Sequence, residues 1–303
     1  MATRGADLTY RVLVTGAGGF IGRRLLQRHP RNWQLVALSR QRLETPERVV
    51  AIRYSNLETR IPQGLDRVFD AIVHLAGNSE HGLAVREPWR DVAATAGFAA
   101  SILNAVSARR IVILSSGAVY AGLVGRVGPD QCLQPTMPYA LSKLYVEGLT
   151  RELVRLGRVD GALVLRLYNA FGPGERPTRL VPRIVRALRN GDDFVLRGDP
   201  QSLSDPLYVD DVIDALRAAA ESSISGILDL CGGDPVPLRS QIDRVADALG
   251  QPPPKIAMDA DPAETPIRYW SDPGRTIDAL RLTTFASFTD GIQRYGREMG
   301  WIP

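Results

Sequence analysis

Two residues one helical turn apart carry most of the chemistry this sequence suggests. The stretch Tyr139-Ala140-Leu141-Ser142-Lys143 sets a phenol and an ammonium at positions i and i+4. In a helix those side chains share a face. A phenol has a reference pKa near 10, too high to exchange protons readily at neutral pH. A neighbouring ammonium favours the phenolate and lowers that value. The residue type is itself a signal, because the chain has 35 arginines and only two lysines, Lys143 and Lys255. Lysine brings a flexible stem and three rotatable donors, and can also hold a ribose hydroxyl; arginine is a rigid fork with a different reach. Upstream, Ser115 and Ser116 close an apolar run, where a hydroxyl could donate to a substrate carbonyl oxygen.

A second group of residues suggests a phosphate cradle. Val14-Thr-Gly-Ala-Gly-Gly-Phe-Ile-Gly22 holds glycines at Gly16, Gly19 and Gly22, with Phe20 and Ile21 between the last two. Such a turn from strand to helix needs positive φ, close backbone approach and a helix N-terminus aimed at a pyrophosphate. At the end of the next apolar run an acid would select NAD, and an arginine would accommodate the extra phosphate of NADP. The chain reads Ser39-Arg40-Gln41-Arg42 there. A guanidinium suits a phosphate, so NADP is the expected cofactor, with NAD the alternative.

These residues need elements to hold them. Nearly all-apolar runs at 11–15, 34–39, 71–77, 110–116 and 162–167 read as strands buried on both faces. Helical patterns lie between them at 20–29, 88–108 and 138–156. Strand and helix in alternation predict a Rossmann-type, doubly wound parallel sheet. After residue 170 proline and glycine punctuate a less regular region, with helices at 180–190, 208–222 and 238–249 and a strand at 226–230. The expected division is a dinucleotide-binding domain over 1–170 and a smaller α/β, mainly substrate-binding domain over 171–303. Residues 207–230 are expected to return to the main sheet.

Composition narrows the partners. The chain has 303 residues, is 45% hydrophobic and carries a net charge of +4, with no dense basic run, so nucleic acid is not an expected partner. Two cysteines and three histidines lack metal-ligand or disulfide spacing, so no metal is expected. No apolar run approaches a membrane span and the first ten residues carry no signal-peptide core, so a cytoplasmic location is expected.

The motifs in order are Thr15-Gly16-x-x-Gly19-x-x-Gly22, His74-Leu-Ala-Gly77, Ser115-Ser-Gly-Ala-Val-Tyr120, Pro138-Tyr-Ala-Leu-Ser-Lys143, Arg166-Leu-Tyr-Asn-Ala-Phe-Gly172 and Tyr208-Val-Asp-Asp-Val212. Together they resemble the extended short-chain dehydrogenase/reductase family of the NAD-dependent epimerase/dehydratase type, in its nucleotide-sugar-modifying branch. The resemblance covers essentially the whole chain. It implies a catalytic Ser116, Tyr139 and Lys143, with the tyrosine as acid/base. It implies cofactor contacts from Gly16, Gly19, Phe20, Ile21, Gly22, Ser39, Arg40, Leu75, Ala76 and Gly77, with Asn56 and Leu57 beside the adenine. Tyr139 and Lys143 also face the cofactor. Asn78, Ser116, Asn169 and Arg183 are the expected substrate contacts. Family members often dimerise through the helices at 88–108 and 138–156, so a homodimer is expected.

The chain departs from the family pattern at three places. Asp91-Val92 stands where the family has Asn-Val. Ser204 stands where an arginine on the nucleotide diphosphate is usual, and the stretch 259–264 is acidic where a second such arginine is common. Arg176, Arg179, Arg183, Arg197 and Arg268 are the available substitutes. Dehydratases carry Asp-Glu after the catalytic hydroxyl, and this chain has Gly117-Ala118. The expected activity is therefore an NADPH-dependent ketoreductase acting on a nucleotide-linked keto-deoxysugar. An NAD-dependent epimerase and a reductase of a small non-nucleotide carbonyl are the alternatives. A cofactor-sensing protein without catalysis has no need of the Ser-Tyr-Lys set.

Overall fold

The computed structural model describes residues 9–46, 49–54, 64–259 and 266–303. In chain order, the elements begin with β1 (Tyr10–Thr15), α1 (Phe20–Arg28), β2 (Trp33–Ser39), β3 (Val49–Arg53) and β4 (Val68–His74). Next come α2 (His81–Arg86), α3 (Pro88–Val92), a π turn (Ala93–Gly97), α4 (Phe98–Ala105) and β5 (Ser107–Ser116). A short 3-10 turn (Gly117–Tyr120), β6 (Val124–Arg126), α5 (Pro138–Arg155), β7 (Gly161–Leu167) and β8 (Asn169–Phe171) follow. The rest is α6 (Leu180–Asn190), β9 (Phe194–Arg197), β10 (Leu203–Ser204), β11 (Pro206–Tyr208), α7 (Val209–Glu221), β12 (Gly226–Leu230), β13 (Val236–Pro237), α8 (Leu238–Ala248), β14 (Ile256–Asp259), β15 (Arg268–Trp270), α9 (Gly274–Leu280) and α10 (Phe288–Glu298).

Seven strands form one sheet in the order β12-β7-β5-β4-β1-β2-β3. The pairs β1–β2, β2–β3, β1–β4 and β4–β5 are parallel. Strand order reverses between β1 and β4, and in such sheets ligands bind outside the carboxyl ends of the strands at that crevice. The strands are apolar because helices cover both faces. Leu13, Leu35, Leu38, Ile72, Ile111, Ile113 and Leu163 are fully buried, and each such side chain contributes about 1.5–3 kcal/mol relative to exposure.

The chain divides into two compact units. One holds the described residues through Ser115, with Met137–Leu165 and Leu216–Gly226. Buried Arg110 ties this unit together, donating to Ala219 O (2.5 Å) and to Ser222 Oγ (2.9 Å) at the end of α7. A cation there also meets the negative end of the helix dipole. The other unit holds Ser116–Thr136, Arg166–Ala215 and the described residues from Ile227 onward. Its short strands pair as β8–β11, β9–β14, β6–β15 and β10–β13. Phe171 centres one of its cores, with ring centroids 5.7 Å from Tyr208 and 5.1 Å from Phe288. Among the described residues no helix is long and apolar enough to cross a membrane.

The ends of β1 and β4 are locked by side chains. In register, Thr15 faces His74. Thr15 Oγ1 lies 3.0 Å from His74 Nδ1 and accepts the Ala76 N–H at 3.2 Å. His74 is buried, and its Nε2 has no hydrogen-bond partner among the described residues. Burial, with the nearby charge of Lys143 as a second cause, pushes its pKa from 6.5 down to about 3. Folded protein therefore keeps this imidazole neutral between those values while the unfolded chain takes up a proton. The unfolded state binds more protons there, so stability falls as pH drops from about 6.5 toward 3, by up to ~1.4 kcal/mol per pH unit from this one group. In urea titrations between pH 6 and pH 4, His74→Gln is expected to show a pH dependence shallower than wild type by up to that amount, whatever its absolute stability. Equal slopes would show that His74 is not held neutral.

Candidate active site

The glycine loop sits at the crevice because no other residue fits. Gly16 has φ +69°, and a Cβ there would lie 2.7 Å from Ala76 N and 2.8 Å from Leu75 C. The loop after β4 therefore packs directly on the loop after β1. At Gly22 a Cβ would lie 2.4 Å from Gly16 O, so the first turn of α1 folds back tightly on the loop. Gly19 is the N-cap of α1, with no side-chain cap and no acid in the first turn. The helix thus offers backbone N–H groups and a positive dipole end at Phe20, Ile21 and Gly22, which suits a pyrophosphate. These residues fit a dinucleotide on geometric grounds.

The end of β2 faces the same loop. Ser39 is buried, and its Oγ accepts the Gln41 N–H at 3.1 Å. A Cβ on Gly18 would come within 2.4 Å of that hydroxyl oxygen. Arg23 on α1 bridges Gly18 O (2.8 Å) and Gln41 Oε1 (3.0 Å), which fixes the loop against the β2 end. Arg40 and Arg42 are exposed. Asn56 and Leu57 lie outside the described residues.

Helix α5 carries an unusual buried polar face. Pro138 starts it, where a missing N–H costs nothing. Tyr139 and Lys143 are 7% and 8% exposed, and Lys143 Nζ lies 5.7 Å from the Tyr139 ring centroid. Lys143 also points its ammonium at Leu114 O, 3.4 Å away. A Cβ built on Gly77 would lie 3.4 Å from the same ammonium, so the loop after β4 lies against it. One turn further on, buried Glu147 accepts a 2.5 Å hydrogen bond from Ser115 Oγ. Ser142 donates to Asp91 Oδ2 at 2.6 Å. Sequence reasoning missed His81, whose ring centroid is 4.5 Å from that of Tyr139. Its only sequence signal was being one of three histidines, two residues past Ser79 on the stretch that follows Gly77.

Asn78 is held by its own loop and by α3. Its Nδ2 donates to Glu80 O and to Asp91 Oδ1, each at 2.8 Å, and its Oδ1 accepts the Glu80 N–H at 2.9 Å.

The second unit carries the remaining expected residues. Ser116 is buried, and its Oγ accepts the Ala118 N–H at 3.1 Å as N-cap of the 3-10 turn. Gly117 has no room for a side chain, because a Cβ would lie 2.9–3.1 Å from the Tyr168 ring. Asn169 begins β8, in register with Pro206. Arg183 donates to Val195 O and stands 4.9 Å over the Phe194 ring. Arg197 pairs with Asp259 (3.7 Å) and Arg268 with Asp199 (3.8 Å). Ser204 is buried beside Asp205, whose Oδ1 accepts the Asp234 N–H at 3.1 Å. Among the described residues no cluster of three His, Cys, Asp or Glu side chains could hold a metal ion.

Comparison with known proteins identifies the family. The chain is 28% identical over 258 residues to a GDP-6-deoxy-D-mannose reductase of Pseudomonas aeruginosa, covering 79% of this chain and 80% of the relative. It is 26% identical over 310 residues to a dTDP-glucose 4,6-dehydratase of Streptomyces antibioticus, covering 93% and 90%. Among solved structures, MoeE5 in complex with UDP-glucose and NAD superposes with a TM-score of 0.82 at 25% identity, over 95% of this chain and 99% of that one. The model of the NAD dependent epimerase/dehydratase family matches residues 12–228, well over half of the chain, and the protein belongs to that family of enzymes.

Proposed function

We propose that the protein is an NADPH-dependent ketoreductase that acts on a nucleotide-linked keto-deoxysugar. The observation that carries this reading is the buried Tyr139–Lys143 pair on α5, with the Lys143 ammonium against the Gly77 loop. A bound nicotinamide dinucleotide supplies the hydride. Tyr139 gives a proton to the carbonyl oxygen, and Ser116 holds that oxygen with a hydrogen bond. Lys143 binds the nicotinamide ribose. A positioned acid of this kind contributes about 10²–10⁴ in rate. Gly16, Gly19, Phe20, Ile21 and Gly22 cradle the pyrophosphate, while Leu75, Ala76 and Gly77 line the neighbouring loop. Ser39 and exposed Arg40 take the 2′-phosphate, which favours NADP over NAD.

Reduction is favoured over dehydration by the Tyr168 ring, which fills the space that a carboxylate at position 117 would need. The reductase relative of Pseudomonas aeruginosa supports the same choice and the nucleotide-sugar class. A second reading, reduction of a small carbonyl without a nucleotide, has one observation in its favour. Ser204 replaces a diphosphate-binding arginine, and Arg183, Arg197 and Arg268 already have partners in their own unit. The second unit is assigned to the substrate, with Asn169 as one contact. The protein also forms a homodimer through α3 and α5, which pack together and leave Trp89, Leu141 and Tyr145 exposed.

Four measurements test these assignments. In a carbonyl-reduction assay, Tyr139→Phe is expected to lose at least about a hundredfold in kcat while binding NADPH as wild type does. Wild type is expected to bind NADPH at least about tenfold more tightly than NADH, and Arg40→Asp to erase that preference. An active Tyr139→Phe sinks the chemistry; tightly retained NAD in purified protein turns the reading to an epimerase. With NADPH saturating, one of UDP, GDP, dTDP, CDP or ADP at millimolar concentration is expected to raise the melting temperature by mass action; no shift with any of them favours the small-carbonyl reading. Sedimentation is expected to give a dimer for wild type and a monomer for Tyr145→Glu; a monomeric wild type removes the dimer.

A further inference from the structure

We infer that Asp91 is a positioning residue that sets the nicotinamide end of the cofactor site, by clamping the loop after β4 to the helix that carries Lys143. The inference rests on the roles of Tyr139, Lys143 and Gly77 proposed above and adds a residue to them.

Asp91 is 0% exposed. A buried carboxylate is costly unless its oxygens are hydrogen-bonded. Here each oxygen takes a donor from a different element. Oδ1 accepts Asn78 Nδ2 at 2.8 Å, from the loop after β4, and Oδ2 accepts Ser142 Oγ at 2.6 Å, from α5. The orientation of the Asn78 amide is not free, because Glu80 N–H donates to its Oδ1 and Glu80 O accepts from its Nδ2. Whatever stands at position 91 must therefore accept on the Asn78 side. The π turn that follows Asp91 adds a second hold on the same loop, where Thr95 Oγ1 accepts the Asn78 N–H at 3.0 Å. Ser142 is the residue before Lys143, and Asn78 is the residue after Gly77. The clamp thus spans the place where Gly77 lies beside the Lys143 ammonium, with φ +147° at Gly77 and 3.4 Å from its Cβ position to Nζ. Moving either arm changes the gap in which a nicotinamide ribose would sit.

The test separates the two ends of the cofactor. Dissociation constants are measured by titration calorimetry for NADPH and for adenosine 2′,5′-bisphosphate, which lacks the nicotinamide ribose. NADH and AMP serve as the parallel pair. Asp91→Leu, which removes both hydrogen bonds of the clamp, is expected to weaken NADPH by roughly tenfold and to leave the bisphosphate within about twofold. Asp91→Asn is expected to restore NADPH to within about threefold, since its oxygen accepts from Asn78 and its amide donates to a Ser142 hydroxyl that turns round. Ser142→Ala, which cuts only the α5 arm, is expected to give the same split at about threefold and stands in if Asp91→Leu does not fold. Equal weakening of both ligands, unchanged NADPH binding, or an Asp91→Asn as weak as Asp91→Leu would each overturn the clamp. An active Tyr139→Phe with the split intact would overturn the proposed function alone. Wild type that binds neither NADPH nor NADH would overturn both.

Discussion

Two backbones meet where β1 and β4 diverge, and the contact leaves no room for a side chain. The Cβ missing from Gly16 would press on the peptide between Leu75 and Ala76. The two loops at the crevice are referenced to this close approach. It sets the height of the glycine loop above the sheet, and so the direction of α1. Through the loop after β4 it also sets where Gly77 lies against Lys143. The Thr15–His74 contact beneath it holds the strand ends in register and does so with a neutral imidazole, so no charge is buried under the loop.

The helix opposite is held by hydrogen bonds as much as by apolar packing. Tyr139, Ser142, Lys143 and Glu147 are all buried on α5. Leaving such groups without partners costs far more than pairing them gains. Ser142 and Glu147 are each bonded to a group from another segment, Asp91 and Ser115. The helix therefore has a preferred rotation about its axis. An apolar face alone would tolerate a small roll; directional bonds at two positions resist it.

Much of the fold could be read from sequence because strands covered on both faces are written as unbroken apolar runs. The strands at 10–15, 33–39, 107–116 and 161–167 lie within three residues of expectation. The expected run at 71–77 ends earlier, at His74, because Leu75–Gly77 leave the sheet to meet the glycine loop. The edge strand β3 was missed because it is mostly exposed and lacks that pattern. The two- to four-residue strands of the second unit are too short to carry any period. The helix read across 88–108 is interrupted by a π turn, and apolar spacing does not report a change from i+4 to i+5 bonding. The Tyr139–Lys143 pairing on α5 was legible through spacing and the rarity of lysine. The partners of Asp91 were not, since Asn78 and Ser142 lie 13 and 51 residues away in sequence. The carboxylate was visible only as a departure, and its meaning needed the fold.

The packing of Gly117 against Tyr168 also constrains how this sequence can change. The ring lies 2.9–3.1 Å from where a Cβ at 117 would be. A larger residue at 117 collides unless Tyr168 has already been replaced by something smaller. Replacing Tyr168 first leaves a void, which carries its own cost in stability. The two positions are thus epistatic, and neither single step is neutral. An acid at 117 therefore calls for a compensating change at 168.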